Sequence, residues 1–208
     1  MPAPRPVRAQ ISSSALAQNA RRVHGVADVR RDAYGHGLSV CAPLLAEAGL
    51  GLCTDEHETD AELIDAAELW GLPAGTGRPV MSLSGSVLST KVLRAGEGVS
   101  YGYSFRASHD TRVALVCGGY AQGIVRELGN RARVGIAGAL VPIVGRVAMD
   151  ACVVDIGELE IARGDEVVFF GDPAAGVPGL DVWVSVTGLS AVEIVSLVGA
   201  RAAREVTA

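Results

Sequence analysis

The sequence predicts an α+β protein: a short α/β segment that stops before it can close, followed by a longer antiparallel β region. Three observations carry this. Apolar periodicity alternates strand, helix, strand, helix up to about residue 70. A glycine- and proline-rich stretch, Gly71-Leu-Pro-Ala-Gly-Thr-Gly-Arg-Pro79, then interrupts it. Beyond that point short apolar runs are separated by glycine turns, as an antiparallel barrel or sandwich requires.

Taken in order, Pro6 to Ile11 reads as extended, and Ser12 to Ser14 offer an N-cap for a helix running to about His24 and stopped by Gly25. Val26 to Val29 is a short strand. A helix capped by Ser39 follows to Ala48, with Pro43 near its start, and Leu50 to Cys53 is a second strand. From Asp55 a third helix is expected, with Asp55 and Glu58 spaced as a capping box and Leu63, Ile64, Ala67 and Leu69 apolar. In the second half, strands are expected over 80–93, 99–105, 112–117, 139–155 and 166–170. A closing helix is expected from Ser190 to Arg201. The domain reading is residues 1–72 as an α/β remnant, with 6–11 as a strand of the β domain, 73–79 as linker, and 80–208 as the β domain.

Composition narrows the function classes. The net charge is -5 and no basic stripe stands out, which argues against nucleic-acid and anionic-membrane partners. Cys41, Cys53, Cys117 and Cys152 are widely spaced, so reduced thiols are expected rather than a disulfide framework or zinc site. The first residues contain no signal-like apolar run, and no stretch approaches the ~18 apolar residues of a membrane span. A soluble, cytoplasmic protein is the expectation. Asp55-Glu-His-Glu-Thr-Asp60 holds metal-capable side chains, but its acidity suits the first turn of a helix, and no metal is expected. Asp32-Ala-Tyr-Gly-His-Gly37 lies where a strand meets a helix, a place where α/β folds bind phosphate. Tyr101 and Tyr120 both sit beside glycines. A tyrosine works as an acid or base only where its surroundings shift a pKa near ~10.

The segments Arg30-Arg-Asp-Ala-Tyr-Gly-His-Gly37, Ala95-Gly-Glu-Gly-Val-Ser-Tyr-Gly102, Gly119-Tyr-Ala-Gln-Gly123 and Val144-Gly-Arg-Val-Ala-Met-Asp150, in this order, resemble alanine racemase. Gly164-Asp-Glu-Val-Val-Phe-Phe-Gly171 and the closing Arg201 and Arg204 fit as well. The resemblance implies a C-terminal-domain-like β barrel joined to a truncated remnant of a TIM barrel, roughly 150 residues short of a complete (β/α)₈ fold of ~250. It implies pyridoxal phosphate (PLP) as cofactor, Tyr101 as the catalytic base, Tyr34 as a cofactor-phosphate contact, and Met149 and Tyr120 at the substrate. The family's PLP lysine aligns with Arg30, whose guanidinium cannot form the aldimine, so none is expected. Lys91, the chain's one lysine, lies in a β-domain strand and is expected to be remote from that pocket. A second phosphate tyrosine aligns with Val192, and Gln122 and Ala148 replace family residues.

Two readings follow. One is a racemase-family protein without independent activity that acts as a binding or assembly module. The other is a minimal PLP-dependent enzyme interconverting L- and D-alanine. A homodimer is expected, with a full-length racemase as an alternative partner, on the ground that Leu44, Leu45, Leu63, Ile64 and Trp70 lack cover.

Overall fold

The computed structural model describes residues 6–208. The elements begin with β1 (Arg8–Ser12), α1 (Ser13–Ala20), β2 (Val26–Asp28), α2 (Arg30–Tyr34), α3 (Leu38–Glu47), β3 (Gly51–Cys53), α4 (Ala66–Trp70) and β4 (Met81–Leu93). They continue with β5 (Gly98–Val99), β6 (Phe105–Arg106), β7 (Thr111–Cys117), β8 (Arg133–Ile136), β9 (Ala139–Val144), β10 (Ala151–Asp155) and β11 (Glu166–Phe170). The chain closes with α5 (Asp181–Thr187), α6 (Ala191–Gly199) and β12 (Ala203–Thr207). It divides into two compact units. Leu83–Gly188, with residues 6–8, form the first; Ala9–Ser82 with Leu189–Ala208 form the second.

The first unit is a closed barrel of six antiparallel strands in the order β4-β7-β10-β9-β8-β11, with β11 returning to β4. Closure runs through Glu166↔Ser86 and Val167↔Gly85, and it leaves no unpaired edge in the ring. Alternation explains the inside: Val116, Cys152, Val154, Val134, Ile136, Val167 and Phe169 are buried, while Leu115 faces out. Phe170 and Trp183 of α5 meet edge to face at 5.1 Å.

Some elements differ from expectation in this unit. The expected strand over 99–105 is a hairpin: Gly98 and Val99 pair with Arg106 and Phe105, and Tyr101–Tyr103 make a 3₁₀ turn at its tip. Ser100 and Tyr103, at φ 63° and 45°, bend the backbone there. The expected strand over 139–155 is two strands with a loop between them, because Gly145 (φ 75°) reverses the chain. Strand β8 and helix α5 have no counterpart in the sequence reading.

In the second unit β2 and β3 run parallel, Val26 opposite Gly51 and Asp28 opposite Cys53. Val26 also bridges Leu63 in parallel, and the Ile64 amide donates to the Val26 carbonyl at 2.8 Å. That bridge corrects the third expected helix. Residues 55–65 are drawn into extended and loop conformations, and only α4 remains helical, capped by Asp65, which accepts from the Ala67 amide. Asp55 accepts from the Arg31 amide at 2.9 Å instead of capping a helix of its own. Ser12 caps α1 as read, but that helix ends at Ala20, before Gly25. Helix α3 is capped not by Ser39 but from a distance, its Leu38 amide donating to Asp32 Oδ1 at 2.7 Å. Strand β1 lies between β4 and β12 in the strand order, and the Ser12 amide donates to the Val80 carbonyl at 2.8 Å.

The expectation of uncovered apolar side chains is also corrected. Leu45 and Trp70 are fully buried, Leu44 and Ile64 are half-buried, and only Leu63 is exposed, at 37%. Trp70 stacks on His36 with centroids 4.5 Å apart. Among the described residues, no single helix is long and apolar enough to cross a membrane, and no three His, Cys, Asp or Glu residues gather as a metal site would require.

Candidate functional site

The residues singled out by sequence fall in both units. In the second unit, β2 ends at Asp28 and the chain enters a turn with an unusual backbone. Arg31, Asp32, Ala33 and Tyr34 all have φ between 52° and 59°, a left-handed helical turn built from L-residues. Each such residue costs roughly 1–2 kcal/mol, so the turn persists only because its surroundings over-determine it.

Those surroundings are specific. The Asp28 carboxylate accepts from Arg30 three times: from the amide at 3.1 Å, from Nε at 2.9 Å and from Nη2 at 2.7 Å. The Tyr34 hydroxyl donates to the same carboxylate. Past the turn, the Ala33 carbonyl accepts from the His36 amide at 3.0 Å and meets His36 Nδ1 at 2.8 Å. Arg204 of β12 pairs with Asp32. Gly35 packs against Gly199 of α6 so closely that a Cβ on Gly199 would lie 2.1 Å from the Gly35 carbonyl oxygen. This close approach is the physical need for both glycines.

The electrostatics follow the same geometry. Hydrogen bonds from Arg30 hold the Asp28 carboxyl at about 2, against the opposing effect of burial. Burial, and then donation to Asp28, push the Tyr34 phenol up to about 12. Burial holds the His36 imidazole down at about 4, so the ring is neutral at pH 7, and its Nε2 has no hydrogen-bond partner among the described residues. The second unit contains no primary-amine side chain, since the chain's one lysine, Lys91, belongs to β4 in the first unit.

In the first unit, Tyr101 projects from the β5–β6 hairpin with 72% of its surface exposed. The Ser100 hydroxyl donates to the Arg146 carbonyl, tying the hairpin to the loop after β9. Met149 lies in that loop and is 55% exposed. The turn at Tyr120 holds the same loop: the Tyr120 amide donates to Ala148 O at 3.0 Å and the Ala121 amide to Met149 O at 2.9 Å. Gln122 donates from Nε2 to Asp150 at 3.2 Å and accepts from the Gly119 amide at 3.0 Å. The Arg126 guanidinium lies 4.5 Å over the Tyr120 ring. The fold thus brings Tyr101, Tyr120 and Met149 to one connected set of loops, and Tyr34 belongs to the other unit.

Sequence reasoning missed Asp28, His36 and Arg146. Lys91 and Arg146 line a cleft of about 600 Å³ together with Tyr101, all within the first unit. An aspartate two residues before Arg30, at a strand end, was the legible signal for Asp28.

A closed six-stranded antiparallel barrel, with an α/β segment that has fewer strands than a complete eight-stranded barrel, defines the class of fold. Residues 80–206 match the family described as alanine racemase, C-terminal domain, and the chain belongs to that family. It is 43% identical over 128 residues to the alanine racemase of Mycobacterium leprae, covering 61% of this chain and 33% of that protein. To the alanine racemase of Thermobifida fusca it is 39% identical over 137 residues, covering 66% of this chain and 37% of that protein. The chain thus spans about a third of the length of these relatives. Among solved structures, the alanine racemase of Streptomyces lavendulae superposes with a TM-score of 0.86 at 21% identity, covering 100% of this chain and 98% of that one. That of Bartonella henselae, with covalently bound pyridoxal phosphate, superposes at 0.80 and 16% identity, covering 98% of this chain and 100% of that one. At such identities the likeness is one of fold.

Proposed function

We propose that this chain serves alanine racemisation as a β-domain module that presents Tyr101 to a site completed by another chain, and that it does not racemise alanine alone. The observation that carries the reading is the contrast between its two tyrosines. Tyr101 is free and exposed on the first unit, whereas Tyr34 is half-buried and committed to Asp28. At the turn where the resemblance places the PLP lysine stands Arg30, bidentate on Asp28. A guanidinium stays protonated and forms no imine, so this turn does not fit covalently held PLP. The other chain would be a second copy or a full-length racemase, and its own lysine and cofactor would complete the site.

The second reading is a minimal PLP-dependent racemase that turns over unaided. It is favoured by the likeness to alanine racemases in sequence over residues 80–206 and in fold over the whole chain.

One experiment separates the two. The purified protein is incubated with PLP and L-alanine, alone and mixed with a full-length racemase whose equivalent tyrosine is changed to alanine, and D-alanine is quantified by chiral chromatography. Activity only in the mixture, lost with Tyr101→Phe, is the expected result. D-Alanine formed by the protein alone would establish the second reading. No D-alanine under either condition, with no complex in sedimentation, would overturn both.

A further inference from the structure

Four consecutive residues, Tyr101 to Ser104, are exposed at the tip of the β5–β6 hairpin. The base of the hairpin is anchored by packing: Val99 and Ala107 are buried in a cluster with Leu93, Val113 and Val144, and Phe105 packs against it. The tip has no such anchor. Within it, the Tyr103 amide donates to the Ser100 carbonyl at 3.3 Å. A two-stranded tip without apolar burial keeps one position only where polar contacts hold it.

Asn130, between Leu128 and β8, supplies such contacts. It stands in left-handed backbone at φ 61°, which asparagine tolerates better than most residues. Its Oδ1 accepts from the buried Gly145 amide at 2.7 Å, and its own amide donates to the Ile143 carbonyl at 3.0 Å. Its Nδ2 donates to Ser104 Oγ at 3.4 Å. One side chain, donor and acceptor together, thus bridges the loop after β9 and one end of the tip. At the other end, the Ser100 hydroxyl donates to the Arg146 carbonyl. The backbones between these contacts lie against one another. A Cβ on Gly145 would be 2.8 Å from Ser100 Cβ, and one on Gly129 would be 2.3 Å from the Gly145 carbonyl oxygen. A shift of Gly145 is therefore passed directly to Ser100 and the tip.

We infer that Asn130 is a positioning residue for Tyr101, fixing the hairpin tip against the loop after β9. Asn130 does not line the cleft beside Tyr101, and it acts through Gly145 and Ser104. The inference rests on the role proposed for Tyr101, and its test separates the two.

Backbone order parameters from NMR relaxation of the whole protein read the clamp without any need for activity. In wild type the amides of Ser100 to Ser104 should be rigid, at about 0.85. Asn130→Gly keeps the left-handed backbone but removes both side-chain bonds, and there they should fall toward about 0.6. Asn130→Asp keeps an acceptor for the Gly145 amide and tolerates the same φ, so it should stay near wild type. The second readout is D-alanine formation in the mixture with the full-length racemase whose equivalent tyrosine is changed to alanine. The maximal rate at saturating protein should fall about fivefold or more in Asn130→Gly, with KM for L-alanine unchanged, and recover in Asn130→Asp. A merely structural loss would move the melting temperature and the amount of protein needed for saturation, not the rate at saturation. If Asn130→Gly does not fold, Ser104→Ala removes the tip contact alone from an exposed position, and a fall in order at Tyr103 is expected. Unchanged order at the tip in whichever variant folds overturns the inference, and so does lost order with an unchanged maximal rate. Absence of activity with wild-type protein overturns the role of Tyr101 instead, and the order parameters then decide by themselves whether Asn130 holds the tip.

Discussion

Replacing Asp28 with asparagine should remove the electrostatic support of the left-handed turn while keeping its shape. In the folded chain the Asp28 carboxyl titrates at about 2 rather than 3.8, chiefly because Arg30 donates to it. At about 1.36 kcal/mol for each tenfold change in proton affinity, that difference corresponds to roughly 2 kcal/mol. The Arg30 side chain is 36% exposed, so solvent screens the pair, and about 1–2 kcal/mol is the expected loss in Asp28→Asn at pH 7. The sign fixes the pH window. A carboxyl whose folded pKa is depressed stabilises the fold above its unfolded value, and that stability fades as pH falls from 3.8 to about 2. Urea unfolding of wild type and Asp28→Asn at a series of pH values tests this. The gap between them should be constant from pH 7 to about pH 5 and nearly closed by about pH 2. A gap below about 0.5 kcal/mol at pH 7, or one that stays constant down to pH 2, would refute the argument that the carboxylate holds the turn.

Other outcomes test neighbouring parts of the structure. His36 is buried and neutral, with a pKa held down at about 4, so its unfolded form takes up a proton first and stability should fall as pH drops from about 6.5 toward 4. His36→Gln should abolish that component, seen as the difference in urea midpoint between pH 7 and pH 5. Gly199→Ala forces a Cβ to within 2.1 Å of the Gly35 carbonyl oxygen, and the overpacking should cost about 1–3 kcal/mol in thermal or urea unfolding. Ser190 caps α6 by accepting from the Glu193 amide at 3.2 Å, while Glu193 accepts from the Ser190 amide at 2.7 Å. Ser190→Ala should therefore cost about 1 kcal/mol of stability.

Features governed by neighbours along the chain were legible. The apolar run at Val192, Val195, Leu197 and Val198 predicts α6, which begins at Ala191 and ends two residues before the expected limit. Glycine-punctuated apolar runs predict a barrel or sandwich, and the barrel is what forms. Features governed by distant partners were not. Asp55 to Asp65 carries a plausible helical pattern, yet the Val26 carbonyl takes the Ile64 amide and Arg31 takes Asp55. A helix-competent pattern yields wherever a strand offers its hydrogen bonds instead. The left-handed turn is invisible from Arg31-Asp-Ala-Tyr34, because only Asp32 among those residues is enriched at positive φ, and then singly; the hydrogen bonds and close packing around it impose it.

The sequence by itself determined which chemical groups exist. It has one lysine, an arginine at the position where the resemblance expects another, and a tyrosine beside a glycine at residue 101. It also determined several of the strands and turns, because these depend on short-range periodicity and on the φ freedom of glycine. Only tertiary structure decided what those groups face. The turn from β2 leads Arg30 back onto Asp28, and the burial there raises Tyr34 while Asp28 falls. Barrel closure and the β5–β6 hairpin bring Lys91 into one cleft with Tyr101 and Arg146, residues 10 and 55 positions further along the chain. Side-chain neighbours across a barrel are set by strand pairing and register, which local periodicity leaves open.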